Sequence, residues 1–248
     1  MSTATTVAAR NFRGTHTADR SPEELRELVS HVGAELELAP AEVIIEWAVA
    51  TFGERFCVTS SMSDAVLAHL ASRVAPGIAV VFIDTGYHFP ETIGTRDAVE
   101  AVLPLRMLTV SPAQTPAEQD LSYGKDLFAS DPDRCCALRK VEPLQRALSE
   151  YDAWATGLRR SESHHRVIAP VIGWDARKQK VKVSPLARWS NEQVEEYIER
   201  FGVLVNPLVQ DGYPSIGCRP CTQRVAPGED PRSGRWAGLA KTECGIHA

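Results

Sequence analysis

The sequence predicts an α/β domain built on a parallel sheet with helices on both faces. Three observations carry that reading. Short apolar segments rich in β-branched residues alternate with helical ones between about residues 40 and 202. Three of the apolar segments end in runs of small and polar residues: Ser60-Ser61-Met62-Ser63-Asp64, Asp84-Thr85-Gly86-Tyr87 and Thr156-Gly157-Leu158-Arg159-Arg160. Open parallel sheets take their ligands beyond the carboxyl ends of the strands, which is where these runs would fall. Finally, 248 residues with a 44% hydrophobic content supply the core of one such domain.

Each element has a local reason. Residues 1–20 are rich in Thr, Ala and Arg without periodicity and are expected to be disordered. Ser21-Pro22-Glu23-Glu24 starts a helix, with Ser as the cap, Pro at the first helical position and Glu at the third. A second helix is expected from Pro40 to Phe52, stopped by Gly53. Arg55–Thr59, Gly77–Asp84 and Leu105–Val110 read as strands, with helices over Asp64–Val74 and Glu91–Val102. A helix over Asp133–Leu148 and a strand over Tyr151–Thr156 follow, then a strand at Val181–Val183. Ser190-Asn191-Glu192-Gln193 caps a last helix that runs to Phe201-Gly202. Beyond Asn206 the chain turns rich in Pro, Gly and Arg. The domain is expected over 21–231, with 232–248 as a mobile catalytic tail.

Composition narrows the function. The net charge of -5 disfavours a protein that coats nucleic acid, so an anionic ligand needs a local basic cluster. No apolar run approaches the ~18–20 residues that span a bilayer. The N-terminus carries no basic segment followed by an apolar one. A cytoplasmic protein is therefore expected, without membrane contact. Six cysteines in a reducing compartment point to metal binding or catalysis rather than to a disulfide framework.

The cysteines are the most specific signal. Cys135 and Cys136 are adjacent, and Cys218-Arg219-Pro220-Cys221 forms a second tight pair. Adjacent Cα atoms lie about 3.8 Å apart, short of what a relaxed disulfide needs. Four thiolates from a helix and a loop suit a [4Fe–4S] cluster or a structural zinc. Zinc sites favour spaced pairs, so the adjacent pair ranks iron–sulfur first. Lys140 follows Cys136 by four residues, which on a helix puts its cation over the same face. Cys57 sits inside a strand and reads as core filler. Cys244 sits in a polar terminal segment, Lys241-Thr242-Glu243-Cys244-Gly245-Ile246-His247, where packing gives it no purpose. It reads as a nucleophile on a swinging arm, its thiolate favoured by basic neighbours.

The strand-end residues have two readings each. Ser60, Ser61 and Asp64 lie between a strand and a helix, either presenting backbone N–H groups to a phosphate or forming a plain N-cap. No Gly-Lys-Ser/Thr follows, so this is not a Walker A loop. Asp84, Thr85 and Gly86 either meet a ribose or adenine or make an Asx-turn. Thr156 and Gly157 lead into Arg159, Arg160 and the nearby Arg166, and Arg232 and Arg235 form a second basic group. Guanidinium forks suit phosphate or sulfate, the alternative being solvated surface charge.

Together the Cys-Cys pair, the Cys-x-x-Cys clip and Lys-Thr-Glu-Cys-Gly-Ile-His resemble the assimilatory adenylyl-sulfate reductases, within the phosphosulfate reductase family. The segments Asp84–Thr92, Trp154–Arg160 and Arg232–Trp236 also look like that family's signatures, and the likeness runs from about residue 40 to the end. The Ser60–Asp64 loop departs most, with Ser61-Met62-Ser63 where the family has more glycine. The resemblance implies an adenine-nucleotide-binding (PP-loop, adenine nucleotide alpha hydrolase-like) single domain with a flexible C-terminal tail. It implies that adenosine 5′-phosphosulfate binds along the strand ends, its phosphosulfate among Lys140, Arg159 or Arg160, Arg232 and Arg235. Cys244 would attack the sulfur, AMP would leave, and thioredoxin or a similar dithiol would release sulfite. The alternatives are a reductase of the 3′-phosphorylated nucleotide, an ATP-using adenylating enzyme, and a zinc-bearing binding module. The first belongs to a branch that generally lacks both cysteine pairs. The sequence leaves the oligomeric state open, a homo-oligomer included.

Overall fold

The computed structural model describes residues 20–239 and 241–246. The expectation of disorder for residues 1–19, and His247, lie outside the described residues. Helices α1 (Pro22–Leu36) and α2 (Ala41–Phe52) lead into β1 (Phe56–Thr59), α3 (Val66–Val74) and β2 (Ile78–Ile83). Then come α4 (Pro90–Val102), β3 (Leu105–Val110), α5 (Pro116–Tyr123), α6 (Leu127–Ser130) and α7 (Pro132–Cys136). After them follow α8 (Glu142–Ala147), β4 (Ala153–Thr156), β5 (Ile172–Asp175), β6 (Lys180–Val183) and α9 (Asn191–Phe201).

The sheet order is β3-β2-β1-β4-β6-β5. All neighbours pair parallel except β5 with β6. The sheet is mostly parallel, as expected, with one antiparallel pair at its edge. β5 was not foreseen: Ile172-Gly173-Trp174-Asp175 is short, and it becomes a strand by closing a hairpin with β6. Sheet order reverses between β1 and β4. That is the switch point where a doubly wound sheet opens a crevice beyond its strand ends.

Both faces of the sheet are covered, and the strands show it by alternation. Phe56, Val58, Val80, Phe82, Ala153 and Ala155 enter the larger core with α1–α3. Their neighbours Cys57, Ala79, Val81 and Trp154 turn to the other face, against Leu144, Leu148 and Tyr151. Each large apolar side chain so buried contributes about 1.5–3 kcal/mol. Ser21, Thr115 and Ser190 close capping boxes at α1, α5 and α9. Arg55 and Asp152 form a two-toothed ion pair at 2.7 Å on both bonds, tying the entries of β1 and β4.

The continuous helix expected over Asp133–Leu148 is broken. A π-helical turn, Ala137–Val141, separates α7 from α8, and a 3₁₀ turn ends the run. Pro143 lies in the first turn of α8 and cannot donate to the carbonyl of Arg139, so the turn before it widens. The wide turn carries Arg139 and Lys140 inward, 2% and 8% exposed.

Candidate active site

The strand-end loops meet over the β1–β4 crevice. After β1, Ser60 N–H donates to the Val81 carbonyl and Ser60 Oγ accepts from Met62 N–H at 3.4 Å. Met62 takes a left-handed φ of 61° and is fully buried. Asn206 fixes that bend, donating to the Met62 carbonyl and to Thr92 Oγ1, both at 3.1 Å. Helix α3 begins at Val66, later than expected, because Asp64 Oδ1 accepts from Val66 N–H at 3.0 Å. Burial raises the Asp64 carboxyl, while this bond and Arg159 oppose it. After β2, Asp84 Oδ1 accepts from Gly86 N–H at 2.9 Å, which is the Asx-turn geometry. Gly86 has φ 71°, and a Cβ there would come within 3.0 Å of Arg139 Nη2, so glycine is required. After β4, Thr156 is buried and leads into Gly157.

The four paired cysteines converge. Cys135, Cys136, Cys218 and Cys221 line one pocket with Tyr87, Phe128, Pro132, Arg139 and Lys140. None forms a disulfide. Cys135, Cys136 and Cys218 are 6–7% exposed. Arg219 N–H donates to the Tyr87 carbonyl at 2.7 Å and Cys218 Sγ to Thr85 Oγ1 at 3.3 Å, pinning the clip to the β2 loop. Burial pushes the Cys136 thiol up to about 12 and Cys221 up to about 11. Thiols that resist ionisation this strongly need a bound cation to stay as thiolates. Among the described residues no three His, Cys, Asp or Glu stand close enough to hold a single metal ion. Four thiols around one pocket are the donor chemistry that a [4Fe–4S] cluster takes, one thiolate to each iron.

A cation lies beside the sulfurs. Burial alone would lower the Lys140 ammonium, but Cys218, Cys244 and Cys136 outweigh it and hold it above the usual lysine range. Arg235 is half-buried, stacked 4.5 Å from the Trp236 ring centre and donating to the Ile216 carbonyl at 3.3 Å. Burial lowers it, with the thiols of Cys244, Cys218 and Cys221 acting the other way. A Cβ at Gly217 would lie 2.3 Å from Arg235 Nη2, so the clip passes directly over this guanidinium.

The remaining arginines divide. Arg159 Nε, Ser163 Oγ and Arg235 Nε are buried without a hydrogen-bond partner among the described residues, as donors waiting for a ligand would be. Arg160 turns away: it pairs with Glu37 at 2.6 Å and donates to the Ala169 carbonyl. Arg166 does not face an open crevice either. Its Nε and Nη2 grip both oxygens of Glu243 at 2.9 Å, and its Nη1 pairs with Glu162. Arg232 donates to the Thr242 carbonyl at 2.8 Å and pairs with Glu243 at 3.3 Å. Lys241 pairs with Asp133.

The terminal segment is therefore docked. Burial raises Glu243, but Arg166, Arg232 and Arg235 overcome it and hold its carboxyl below the usual range. Cys244 next to it is partly exposed and shifts the titration of Cys136, Lys140 and Arg235, which makes all three its electrostatic neighbours. The arm also begins later than residue 232. Trp236 N–H donates to the Cys221 carbonyl, and Thr222 and Arg235 form a β-bridge, so residues 232–236 stay on the body.

Sequence reasoning missed Glu243, Glu162, Ser163 and Asn206. Glu243 is a neighbour of the nucleophile candidate, and its charge opposite the basic groups was the available signal. Asn206-Pro207 signals a turn, but not that its amide reaches back to β1.

Comparison with known proteins follows the same lines. The sequence matches the phosphoadenosine phosphosulfate reductase domain over residues 55–224. It is 62% identical over 229 residues to the adenosine 5′-phosphosulfate reductase of Streptomyces coelicolor, covering 92% of this chain and 97% of that one. With the protein of the same name from Mycolicibacterium smegmatis the identity is 56% over 224 residues, covering 90% and 95%. A phosphoadenylyl-sulfate reductase structure from Candida auris, a phosphate complex, superposes with TM-score 0.66 at 27% identity, over 86% of this chain and 100% of that one. The FMN adenylyltransferase of Candida glabrata shares the fold alone, with TM-score 0.54 at 13% identity, covering 82% and 74%.

Proposed function

The chain belongs to the phosphoadenosine phosphosulfate reductase family, and from that premise we propose that it reduces adenosine 5′-phosphosulfate to sulfite and AMP. One observation carries the mechanism: Glu243 holds the arm against Arg166 and Arg232, and Cys244 beside it is an electrostatic neighbour of Lys140, which lines the four-cysteine pocket.

The nucleotide lies along the ends of β1, β2 and β4, touching Ser60, Ser61, Asp64, Asp84, Thr85, Gly86, Thr156 and Gly157. Its phosphosulfate takes the unpaired donors of Arg159 and Arg235, with Lys140 beside them. Cys244 thiolate attacks the sulfate sulfur. The S–O bond to AMP breaks, AMP leaves with the bridging oxygen, and Cys244 carries an S-sulfonate. Positive charge around the leaving group favours its departure. A dithiol, thioredoxin or its like, then attacks Cys244 Sγ. Sulfite leaves with the bonding pair, and the second thiol of the dithiol resolves the mixed disulfide, so two electrons come from the dithiol. Arg166 and Arg232 act on the arm rather than on the nucleotide. Release of their grip lets one sulfur serve both half-reactions.

Cys135, Cys136, Cys218 and Cys221 would hold a [4Fe–4S] cluster. When bound it supplies structural order and local charge, the electrons of the reaction coming from the dithiol. Six unbridged cysteines suit a reducing, cytoplasmic setting. Among the described residues no helix is long and apolar enough to cross a membrane. The test is anaerobic turnover with thioredoxin on each nucleotide. Sulfite from adenosine 5′-phosphosulfate, with little from its 3′-phosphorylated form, is expected. The reverse preference would overturn the substrate assignment.

A further inference from the structure

The chain beyond Cys244 is gripped a second time, by groups outside the crevice. Ile246 packs against the second core. Its carbonyl accepts from Lys178 Nζ at 2.9 Å. The same Nζ donates to Asp175 Oδ2 at 2.8 Å, and Asp175 Oδ1 accepts from Lys178 N–H at 3.1 Å. Both side chains are nearly buried, 5% and 7% exposed, and Lys178 Nζ sits 5.2 Å from the Trp154 ring centre.

A turn between β5 and β6 needs no buried ion pair. Burying one is costly unless further hydrogen bonds satisfy the charges. Here the ammonium has its aspartate, an aromatic face and one more donor, and that donor goes to the arm. We propose that Lys178, oriented by Asp175 over Trp154, is a positioning residue that latches the arm closed through the Ile246 carbonyl. Two residues of chain reach at most ~7 Å, so fixing Ile246 confines Cys244 to that radius. Arg166 grips Glu243 on the other side, and the thiol is held from both directions. The latch recognises a main-chain carbonyl, and one bond breaks when the arm leaves. Gly245, at φ 82° and with Val141 Cγ2 3.5 Å from where its Cβ would be, makes the bend that brings Ile246 to the latch.

The inference builds on Cys244 as the reacting thiol, but its test does not depend on turnover. Protein purified without oxygen and without nucleotide is exposed to iodoacetamide, and alkylation of the peptide carrying Cys244 is followed by mass spectrometry. A hydrogen bond to a charged group holds the closed form by a factor of about ten or more. Lys178→Met is therefore expected to speed alkylation about tenfold, and Lys178→Arg to restore the slow rate. Loss of a nearby cation would by itself slow a thiol, so faster reaction reports exposure. Lys178→Met combined with Asp175→Asn removes both buried charges together with the donor to the Ile246 carbonyl, and is also expected to speed it, which keeps the test decisive if Lys178→Met alone does not fold. Wild-type rates in the folded double variant, or in a folded Lys178→Met, overturn the latch. Sulfite release by Cys244→Ser would instead overturn the function and leave the alkylation result standing.

Discussion

The pocket and the arm hold their thiols by opposite means. Cys135, Cys136 and Cys218 are almost fully buried, and the clip is tied to the β2 loop by the Arg219–Tyr87 backbone bond. Cys244 is partly exposed, and its segment is held by Arg166, Arg232 and Lys178. Burial makes position permanent. Charge pairs and single hydrogen bonds make it reversible, because water can take their place once the arm leaves. In the proposed mechanism one set of sulfurs stays still and another moves, and each device suits one of those tasks.

The largest effect should separate the two regions outright. Cys244→Ser is expected to lower sulfite release by a factor on the order of 10⁴ or more, with iron content unchanged by metal analysis. Wild-type sulfite release would remove Cys244 from the chemistry. Cys136→Ser or Cys221→Ser should do the reverse and lose iron together with soluble protein. Full iron in either variant would exclude that residue as a ligand.

The next effect falls on the arm. Arg166→Ala should cut kcat about 10–100-fold, the scale of charge-assisted hydrogen bonds lost from Glu243, while the visible spectrum of the pocket stays the same. Arg160→Ala, whose ion pair with Glu37 is about a third exposed, should cost at most about 1 kcal/mol of stability and leave kcat close to wild type. Equal losses of activity in both variants would contradict the division between them.

Acid should also open the arm before it disturbs the pocket. Glu243 is held below the usual carboxylate range. Its contribution is full above the unfolded pKa and is lost as pH falls through the lower folded value. Protection factors over residues 241–246, taken against the intrinsic exchange rate at each pH, should fall on that acid limb and be flat at neutral pH. Loss of protection on the alkaline side instead would count against Glu243.

The smallest effect concerns the floor beneath the arm. Burial lowers Lys182 to about 8 from the ordinary 10.5. A folded pKa below the unfolded one penalises folding at neutral pH, and the penalty fades as pH rises from 8 to 10.5. Lys182→Met should raise the melting temperature by a few degrees at pH 7, with the gain shrinking over that window. A constant gain across it would mean that packing, not charge, is responsible.

Much of the fold was legible because the strands alternate into two cores and the helices carry their caps. Leu105–Val110 and the helix capped by Ser190 could be read from local chemistry alone. Ile172–Asp175 could not, since that strand exists only by pairing with β6. Nor could the break at 137–141, where Pro143 acts on the turn before it. In the site, residue type was readable and pairing was not. Six cysteines and five arginines announced themselves, but Arg160 is committed to Glu37 and Arg166 to Glu243, contacts 123 and 77 residues apart in sequence. Long-range ion pairs leave no periodic trace.

The most direct measurement is mass spectrometry of the protein after brief anaerobic incubation with adenosine 5′-phosphosulfate and no reductant. One added SO₃ group is expected on the peptide carrying Cys244, removed as sulfite when a dithiol is supplied. An adduct on any other cysteine, or sulfite release in a full cycle with no adduct at Cys244, would contradict it.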